Sequence, residues 1–406
     1  MDFEVIQPRW QESGDYWFDL LDSLPRDQLS SCLQMPNTGE KLSDDAAMFL
    51  AYASALRGVG NVSPNPLVGA VVLAADGGFL AAGCHLKVGG AHAEVHALKR
   101  AASVQDLKGC QIFVTLEPCA HEGRTPSCAK LIAQTGISRI VFGLTDPNPK
   151  VNGQGAKILM DAGKKVDWSQ PWSTRCAWLA RVFIHNQQKQ EIYTALKVAS
   201  TPSGVIAGVH SSRLWITGER ARQMGHFLRL EYDAVVVGIK TALMDDPLLS
   251  VRHPTVSGRT PLRIILDASG ALIADPRPLR MFKDSPERTL VVVSDHQDCT
   301  FLKNLYGIDA IALAVDQNKH FAWSDIKRDL WARGVRSLLI EGGAGLYQTA
   351  LDSRSVDVVH WFVAPERGLE GLKWPMITEA LDSYNHGCGV PLGDDKLIER
   401  SLGLEV

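Results

Sequence analysis

Two spacings of apolar residues run along this chain, and together they divide it into strands and helices. Short apolar runs bounded by Gly, Pro or Asp predict strands over 68–73, 111–116, 139–144 and 165–168. Between them, helical spacing predicts helices over 43–56, 92–102 and 156–162. Ser43 is a good N-cap, with Asp44 and Asp45 following in the first turn. Thr125 with Pro126 behind it opens another helix, and Gly136 ends it. Residues 170–189 read as a helix or connector into a second alternating series. That series has strands over 192–198, 234–237, 262–266, 290–294, 337–340 and 356–363, and helices over 217–230, 324–333 and 345–351. Two successive runs of strand and helix predict two layered α/β domains, over 43–188 and 189–406. Residues 1–42 form an extension of unassigned role, read as a packing arm or a partly ordered tail. Within it, 17–21 suits a short amphipathic helix and 36–39 a turn.

Composition narrows the class. The chain of 406 residues is 45% apolar and 21% charged, with a net charge of −3, so nothing points to a nucleic-acid partner. No apolar run reaches the roughly 18 residues of a membrane span, and the start Met1-Asp2-Phe3-Glu4 is unlike a signal peptide. A cytoplasmic protein without membrane partner is expected. Its eight cysteines are scattered, which in a reducing compartment turns attention to metal binding rather than disulfides.

Three of the potential metal ligands stand in one pattern: His92, Cys119 and Cys128, with Glu94 two residues past the histidine. Three protein ligands leave a fourth position on zinc for water, as catalytic sites require. His92 and Cys128 each fall in the first turn of a predicted helix, where partial positive charge favours thiolate. Glu94 is then placed to take a proton from water and hand it to leaving ammonia. Zinc nucleobase deaminases carry two residues between the cysteines, whereas eight separate them here, from Ala120 to Ser127. His96 shares a helix face with His92 and reads as a rival ligand or a solvated neighbour. His121 reads as a substrate contact or a loop residue, and Cys84 and Cys110 as core thiols.

Longer stretches carry a resemblance. Asn65-Pro66-Leu67-Val68-Gly69, Gly83-Cys84-His85, His92 through Leu98, Thr115-Leu116-Glu117-Pro118-Cys119, Gly123-Arg124-Thr125-Pro126, Cys128 and Asp146-Pro147-Asn148-Pro149 resemble the deaminase half of the bifunctional riboflavin-biosynthesis deaminase/reductases. That family has the longer loop between its cysteines. The resemblance implies a cytidine-deaminase-like three-layer α/β domain acting on a phosphorylated ribosylamino-diaminopyrimidinone. It further implies Zn2+ on His92, Cys119 and Cys128, Glu94 as the catalytic proton carrier, and Asn65, His85 and Arg124 as substrate contacts.

The second half resembles the family's dihydrofolate-reductase-like α/β domain, which uses NADPH to reduce the ribosyl group to ribityl. The similar segments are Leu196-Lys197, Trp215-Ile216-Thr217, His226 through Arg229, Asp233 through Gly238, Thr241 through Arg252, and Ile340-Glu341-Gly342-Gly343-Ala344-Gly345-Leu346. The last is a strand, a glycine turn and a helix start, which suits cofactor phosphates. The resemblance implies Lys197 as catalytic, Ser200, Trp215, Thr241, Asp245 and Gly343 as cofactor contacts, and Arg229, Leu249, Arg252 and Glu341 as substrate contacts. It also implies a homo-oligomer. Two places depart from the family pattern: Ser203 stands at a usually acidic position, and Pro365-Glu366-Arg367-Gly368-Leu369 replaces Pro-Lys-Leu-Leu-Gly. The alternative expectation is a deaminase whose reductase-like domain is degenerate. A nucleic-acid base editor and a non-catalytic zinc scaffold are the rival classes. The former needs a basic groove with aromatics, and the latter needs Glu94 to be dispensable.

Overall fold

The computed structural model describes residues 5–12, 15–120, 126–148, 152–208, 215–253, 260–274, 277–366, 371–374 and 389–401. It forms two compact units that divide between Gln190 and Glu191.

The first unit is built on five strands: β1 (Gly69–Leu73), β2 (Phe79–Cys84), β3 (Gln111–Val114), β4 (Arg139–Phe142) and β5 (Lys165–Trp168), in the order β2-β1-β3-β4-β5. The first three are antiparallel neighbours, and β3, β4 and β5 run parallel. β2 was not expected: Phe79-Leu80-Ala81-Ala82-Gly83-Cys84 lacks β-branched residues, and pairing with β1 imposes the strand. Alternation along β1 sorts the two faces. Ala70 and Val72 pack with helices Ala93–Ala102, Cys128–Ala133 and Gln154–Asp161. Gly69 points the other way, against helix Asp44–Ala55, where a Cβ would sit 1.9 Å from the Ala51 carbonyl oxygen. Gly83 serves the opposite face, since a Cβ there would lie 2.5 Å from Ala97 N. Glycine at these two positions therefore sets the distance of a helix from each face of the sheet.

Helix Asp44–Ala55 begins as expected, with Ser43 Oγ accepting from Ala46 N at 3.1 Å. Every residue from Ala46 to Ala55 is buried, as befits a helix that is apolar all round. The extension makes this possible by packing onto the helix. Trp10 lies edge-on to Phe49 at 6.4 Å, and Ser43 Oγ donates to the Glu12 carbonyl at 2.7 Å. Helix Asp15–Ser23 places Phe18 5.2 Å from Trp172, whose Nε1 donates to Asp45 at 2.9 Å. Arg175 stacks on Phe18 and pairs with Asp22 at 3.0 Å. The described residues of the extension thus pack against this unit.

The second unit holds a nine-stranded sheet. Its strands are β6 (Tyr193–Ser200), β8 (Ala234–Gly238), β9 (Leu262–Asp267), β10 (Thr289–Ser294), β11 (Asp309–Leu313), β12 (Ser337–Ile340), β13 (Val358–Val363), β15 (Gly389–Leu392) and β16 (Asp395–Ser401). A small separate ribbon pairs β7 (Val205–Gly208) with β14 (Gly371–Lys373). The large sheet runs β11-β10-β9-β8-β12-β6-β13-β16-β15, parallel from β11 to β13 and antiparallel beyond. After β8 the chain moves toward β9; after β12 it moves the opposite way, past β6 to β13. Ligands of open parallel sheets bind where that direction switches, at the carboxyl ends of the strands. That point lies at Gly238 on β8 and Ile340 on β12.

Candidate functional site

In the first unit the expected ligands converge. His92 Nδ1 lies 3.2 Å from Cys128 Sγ and 3.7 Å from Cys119 Sγ. Among the described residues these three form a group whose ligand atoms all lie within 4.8 Å of one another. His92 is the N-cap of helix Ala93–Ala102, one residue outside it, rather than a first-turn residue. Cys128 opens helix Cys128–Ala133 as expected, but the cap is Ser127, whose Oγ accepts from Lys130 N. The expected cap, Thr125, lies outside the described residues, as do His121 and Arg124. Cys119 Sγ accepts from the Cys128 backbone N–H at 3.3 Å. Hydrogen bonds from Cys128 and His92 pull Cys119 down to about 4 against its burial, while the neighbouring thiolate and burial push Cys128 up. Two sulfurs this close share one negative charge by themselves; a divalent cation would hold both as thiolates. The bond to Cys119 raises His92, opposing burial. The donor set of one imidazole and two thiols therefore fits zinc.

Glu94 is 4% exposed beside this triad, and burial pushes it up to about 7. A carboxyl near neutrality can both take and give a proton. His85 is buried next to His92, their ring centres 5.6 Å apart. Its Nδ1 donates to the Ala91 carbonyl at 3.1 Å, so Nε2 is left to accept from Asn65 Nδ2 at 3.2 Å. Burial lowers His85, keeping it neutral. His96 Nδ1 bonds the Cys84 carbonyl at 2.8 Å and so packs into the β2 edge.

In the second unit, Glu341 follows β12 at the switch point. Arg229 Nε and Nη2 donate to its two oxygens at 2.6 and 3.0 Å, and Lys197 Nζ lies 3.9 Å away. Burial alone would raise Glu341, but Arg229 and then Lys197 override it and hold the carboxylate down at about 2. Burial lowers Lys197. Arg229 Nη1 continues to the Ser250 carbonyl at 3.1 Å, and Arg252 Nη1 donates to Ser250 Oγ at 2.9 Å. Leu249 between them is buried and left-handed, with φ of 50°, an unfavourable backbone for a residue with a Cβ. Burial and the two arginines push His226 down to about 4. Gly343 caps helix Ala344–Asp352, and Thr241 Oγ1 lies 4.0 Å from the position of a Cβ on it. The structure thus joins Lys197, Glu341, Arg229 and Arg252 in one network through Ser250, with Leu249 next to it in the chain and Thr241 and Gly343 as neighbours of each other. Ser200 and Trp215 engage other partners: Ser200 Oγ accepts from Trp361 Nε1 at 2.8 Å, and Arg222 stacks on an exposed Trp215. Asp245 is exposed at the end of helix Ile239–Asp245.

The two departures noted in the sequence meet each other. Glu366 Oε2 accepts from Ser203 N at 3.1 Å, so a carboxylate reaches this turn from another segment. Sequence reasoning missed Arg263. Fully buried on β9, it donates to the carbonyls of Leu248, Met281, Asp284, Ser285 and Arg288 and to Asp284 Oδ2 and Thr289 Oγ1. Through the Leu248 carbonyl it anchors the chain just before Leu249 and Ser250. A charged residue inside the apolar run 262–266 was the available signal, because buried arginines are paired ones.

Comparisons with known proteins match both units. The cytidine and deoxycytidylate deaminase zinc-binding region matches residues 42–144, and the RibD C-terminal domain matches 193–366. The riboflavin biosynthesis protein RibD of Actinobacillus pleuropneumoniae is 34% identical over 92% of this chain and 98% of its own. The chain belongs to the RibD family. RibD of Aquifex aeolicus is 34% identical over 81% of this chain and 89% of its own. A solved Thermotoga maritima protein, named diaminohydroxyphosphoribosylaminopyrimidine deaminase/5-amino-6-(5-phosphoribosylamino)uracil reductase, superposes with a TM-score of 0.73. It is 32% identical, over 89% of this chain and 99% of its own. RibD of Acinetobacter baumannii superposes with a TM-score of 0.72 at 29% identity, over 88% of this chain and 98% of its own. As a member of that family this is a bifunctional riboflavin-biosynthesis enzyme acting on a small molecule, with a cytidine-deaminase-like domain followed by a dihydrofolate-reductase-like one. The alternative of a degenerate reductase-like domain is not supported. Among the described residues no helix is long and apolar enough to cross a membrane.

Proposed function

We propose that residues 43–188 deaminate the 2-amino group of a diaminopyrimidinone carrying a phosphorylated ribosylamino group, and that residues 189–406 then reduce its ribosyl group to ribityl. The observation that carries the first step is a buried Glu94, near-neutral in pKa, beside the His92–Cys119–Cys128 triad. The triad would hold zinc, which when bound supplies Lewis acidity toward water. Glu94 takes the proton of the attacking water and gives it to the departing amino group, so one C–N bond breaks, one C–O bond forms and ammonia leaves. Asn65 and His85, locked to each other, present fixed polar edges to the pyrimidine; Arg124 suits the phosphate.

In the second half, NADPH, when bound, supplies the hydride to the ribosyl C1′. Breaking the C1′–O4′ bond leaves an alkoxide that needs a proton. Lys197, lowered by burial and oriented by Glu341, is the donor. Glu341 and Arg252 contact substrate, while Arg229 acts through Glu341 and Leu249 shapes the loop. Thr241 and Gly343 line the cofactor helix start; Ser200, Trp215 and Asp245 are the further cofactor contacts in this reading. The free thiols among the described residues suit the reducing cytoplasm. A homo-oligomer, expected from the resemblance, is checked by sedimentation. The deciding experiment gives purified protein the diaminopyrimidine with and without NADPH. Ammonia release without NADPH, followed by NADPH oxidation when it is added, is the expected order. Oxidation that never follows deamination would defeat the two-step reading.

A further inference from the structure

Cys119 is gripped from two sides. On the downstream side, its Sγ accepts from Cys128 N and its carbonyl from Ser127 Oγ at 2.7 Å and Ala129 N at 3.1 Å. On the upstream side stands Glu117, which is 3% exposed and takes no part in the proton transfer above. Its Oε2 accepts from Asp146 N and Gly153 N, each at 3.1 Å, and its Oε1 from Ala156 N at 3.0 Å. Its own N–H donates to the Leu144 carbonyl at 2.7 Å. The backbone of Gly155 rests on Pro118 so closely that a Cβ there would lie 1.9 Å from the Pro118 carbonyl oxygen. The Pro118–Cys119 peptide is therefore wedged between the starts of helices Cys128–Ala133 and Gln154–Asp161.

We propose that Glu117 is a positioning residue for the metal centre: its carboxylate clamps Asp146 and the start of helix Gln154–Asp161 to the Cys119 turn and so aims the Cys119 sulfur. The geometry demands that both side-chain oxygens accept. Three N–H groups converge on two oxygens, and a charged acceptor at the start of helix Gln154–Asp161 makes each bond stronger. Glutamine is nearly the same size but offers one acceptor oxygen, and its NH2 would face an N–H. Residues that orient metal ligands in this way typically control affinity by 10–100-fold. The coupling is reciprocal: cation binding at Cys119 tightens the Glu117 clamp, and the clamp tightens cation binding.

The inference rests on the triad being the metal site, and the test separates the two. Zinc affinity is measured by competition with a chromophoric chelator for the full-length protein, Glu117→Gln, Glu117→Asp and Cys119→Ser. The Co2+-loaded forms are compared by their ligand-field and thiolate charge-transfer bands. Glu117→Gln is expected to bind zinc roughly 10–100-fold more weakly. Its Co2+ bands should be displaced with charge transfer retained, and Glu117→Asp should recover part of the affinity. Wild-type affinity and an unchanged Co2+ spectrum in Glu117→Gln would overturn the proposal. Unchanged zinc binding in Cys119→Ser would instead overturn the metal site itself. The wild-type protein supplies a reading that does not depend on any variant folding. The amides of Asp146, Gly153 and Ala156 should exchange more slowly with zinc than after chelation, and equal exchange in the two states refutes the clamp.

Discussion

The two sites solve opposite electrostatic problems. In the deaminase unit, His92, Cys119 and Cys128 crowd three donor atoms, two of them sulfurs sharing one proton, that the proposed cation would hold together. In the reductase unit, the charges are already matched inside the protein: Glu341 sits between Arg229 and Lys197, and Arg229 is anchored again on Ser250. One site is completed from outside, the other from within. The difference teaches where each is vulnerable: the first to loss of its ion, the second to loss of any single partner.

Removing the metal should give the largest separation. Exhaustive chelation is expected to abolish ammonia release and leave NADPH-dependent reduction of the already deaminated substrate intact. Loss of both activities would break the comparison. Glu94→Gln should keep bound zinc, measured by metal analysis, and slow deamination about 10²–10⁴-fold, the usual worth of a general acid–base group. Turnover at wild-type rate would remove Glu94 from the mechanism.

On the reductase side, Glu341→Gln strands a buried guanidinium and should cost about 3–5 kcal/mol of unit stability by denaturant titration. Changing both partners, with Arg229→Met and Glu341→Leu, should recover most of that stability but not reduction. If the single change is harmless, the site is not self-matched. Acid sharpens the same point. His226 titrates at about 4 when folded against 6.5 when unfolded, so the unfolded chain binds more protons between those values. Its contribution is full above pH 6.5 and is lost as pH falls through 4. Glu341, held at about 2 against 4.5, adds a loss from 4.5 downward. The reductase unit should therefore lose stability on acidification, and His226→Gln should flatten the part between 6.5 and 4. The smallest effect belongs to the junction. Gln190 ends helix Arg181–Lys189 in a left-handed conformation with φ of 55° and is exposed, so Gln190→Gly relieves roughly 1–2 kcal/mol of strain against roughly 0.5–1 kcal/mol of added chain entropy and should raise the melting temperature slightly.

The same contrast governs what the sequence could reveal. His92, Glu94, Cys119 and Cys128 were legible because a short motif fixes their chemistry, and two helix starts bring them together. Ser43, the strand at 69–73 and most parallel strands were legible from caps and apolar runs. Glu117 and Arg263 were not, because their roles depend on which distant backbone groups meet them: Asp146 and Ala156 for the one, Leu248 and Ser285 for the other. The Glu366–Ser203 contact was hidden for the same reason. Two departures 163 positions apart look unrelated until β6 and β13 are seen as neighbours. The edge strand β15 and its neighbour β16 escaped because Gly389–Leu392 is short and holds a glycine and a proline, and Asp395–Ser401 mixes charged and apolar residues without a steady alternation.

The packing arm has a practical consequence. With Trp10 and Phe18 in place, the back of the deaminase unit is interior rather than surface. A protease that trimmed the chain to Ser43 would spare every metal ligand and still ruin the preparation, because Phe49 and Trp172 would become an exposed sticky patch. The damage would register as precipitation during purification, with the chemistry of the remaining soluble molecules unaltered. A shortened expression boundary drawn at the first residue of the zinc-binding match would make the same error by design.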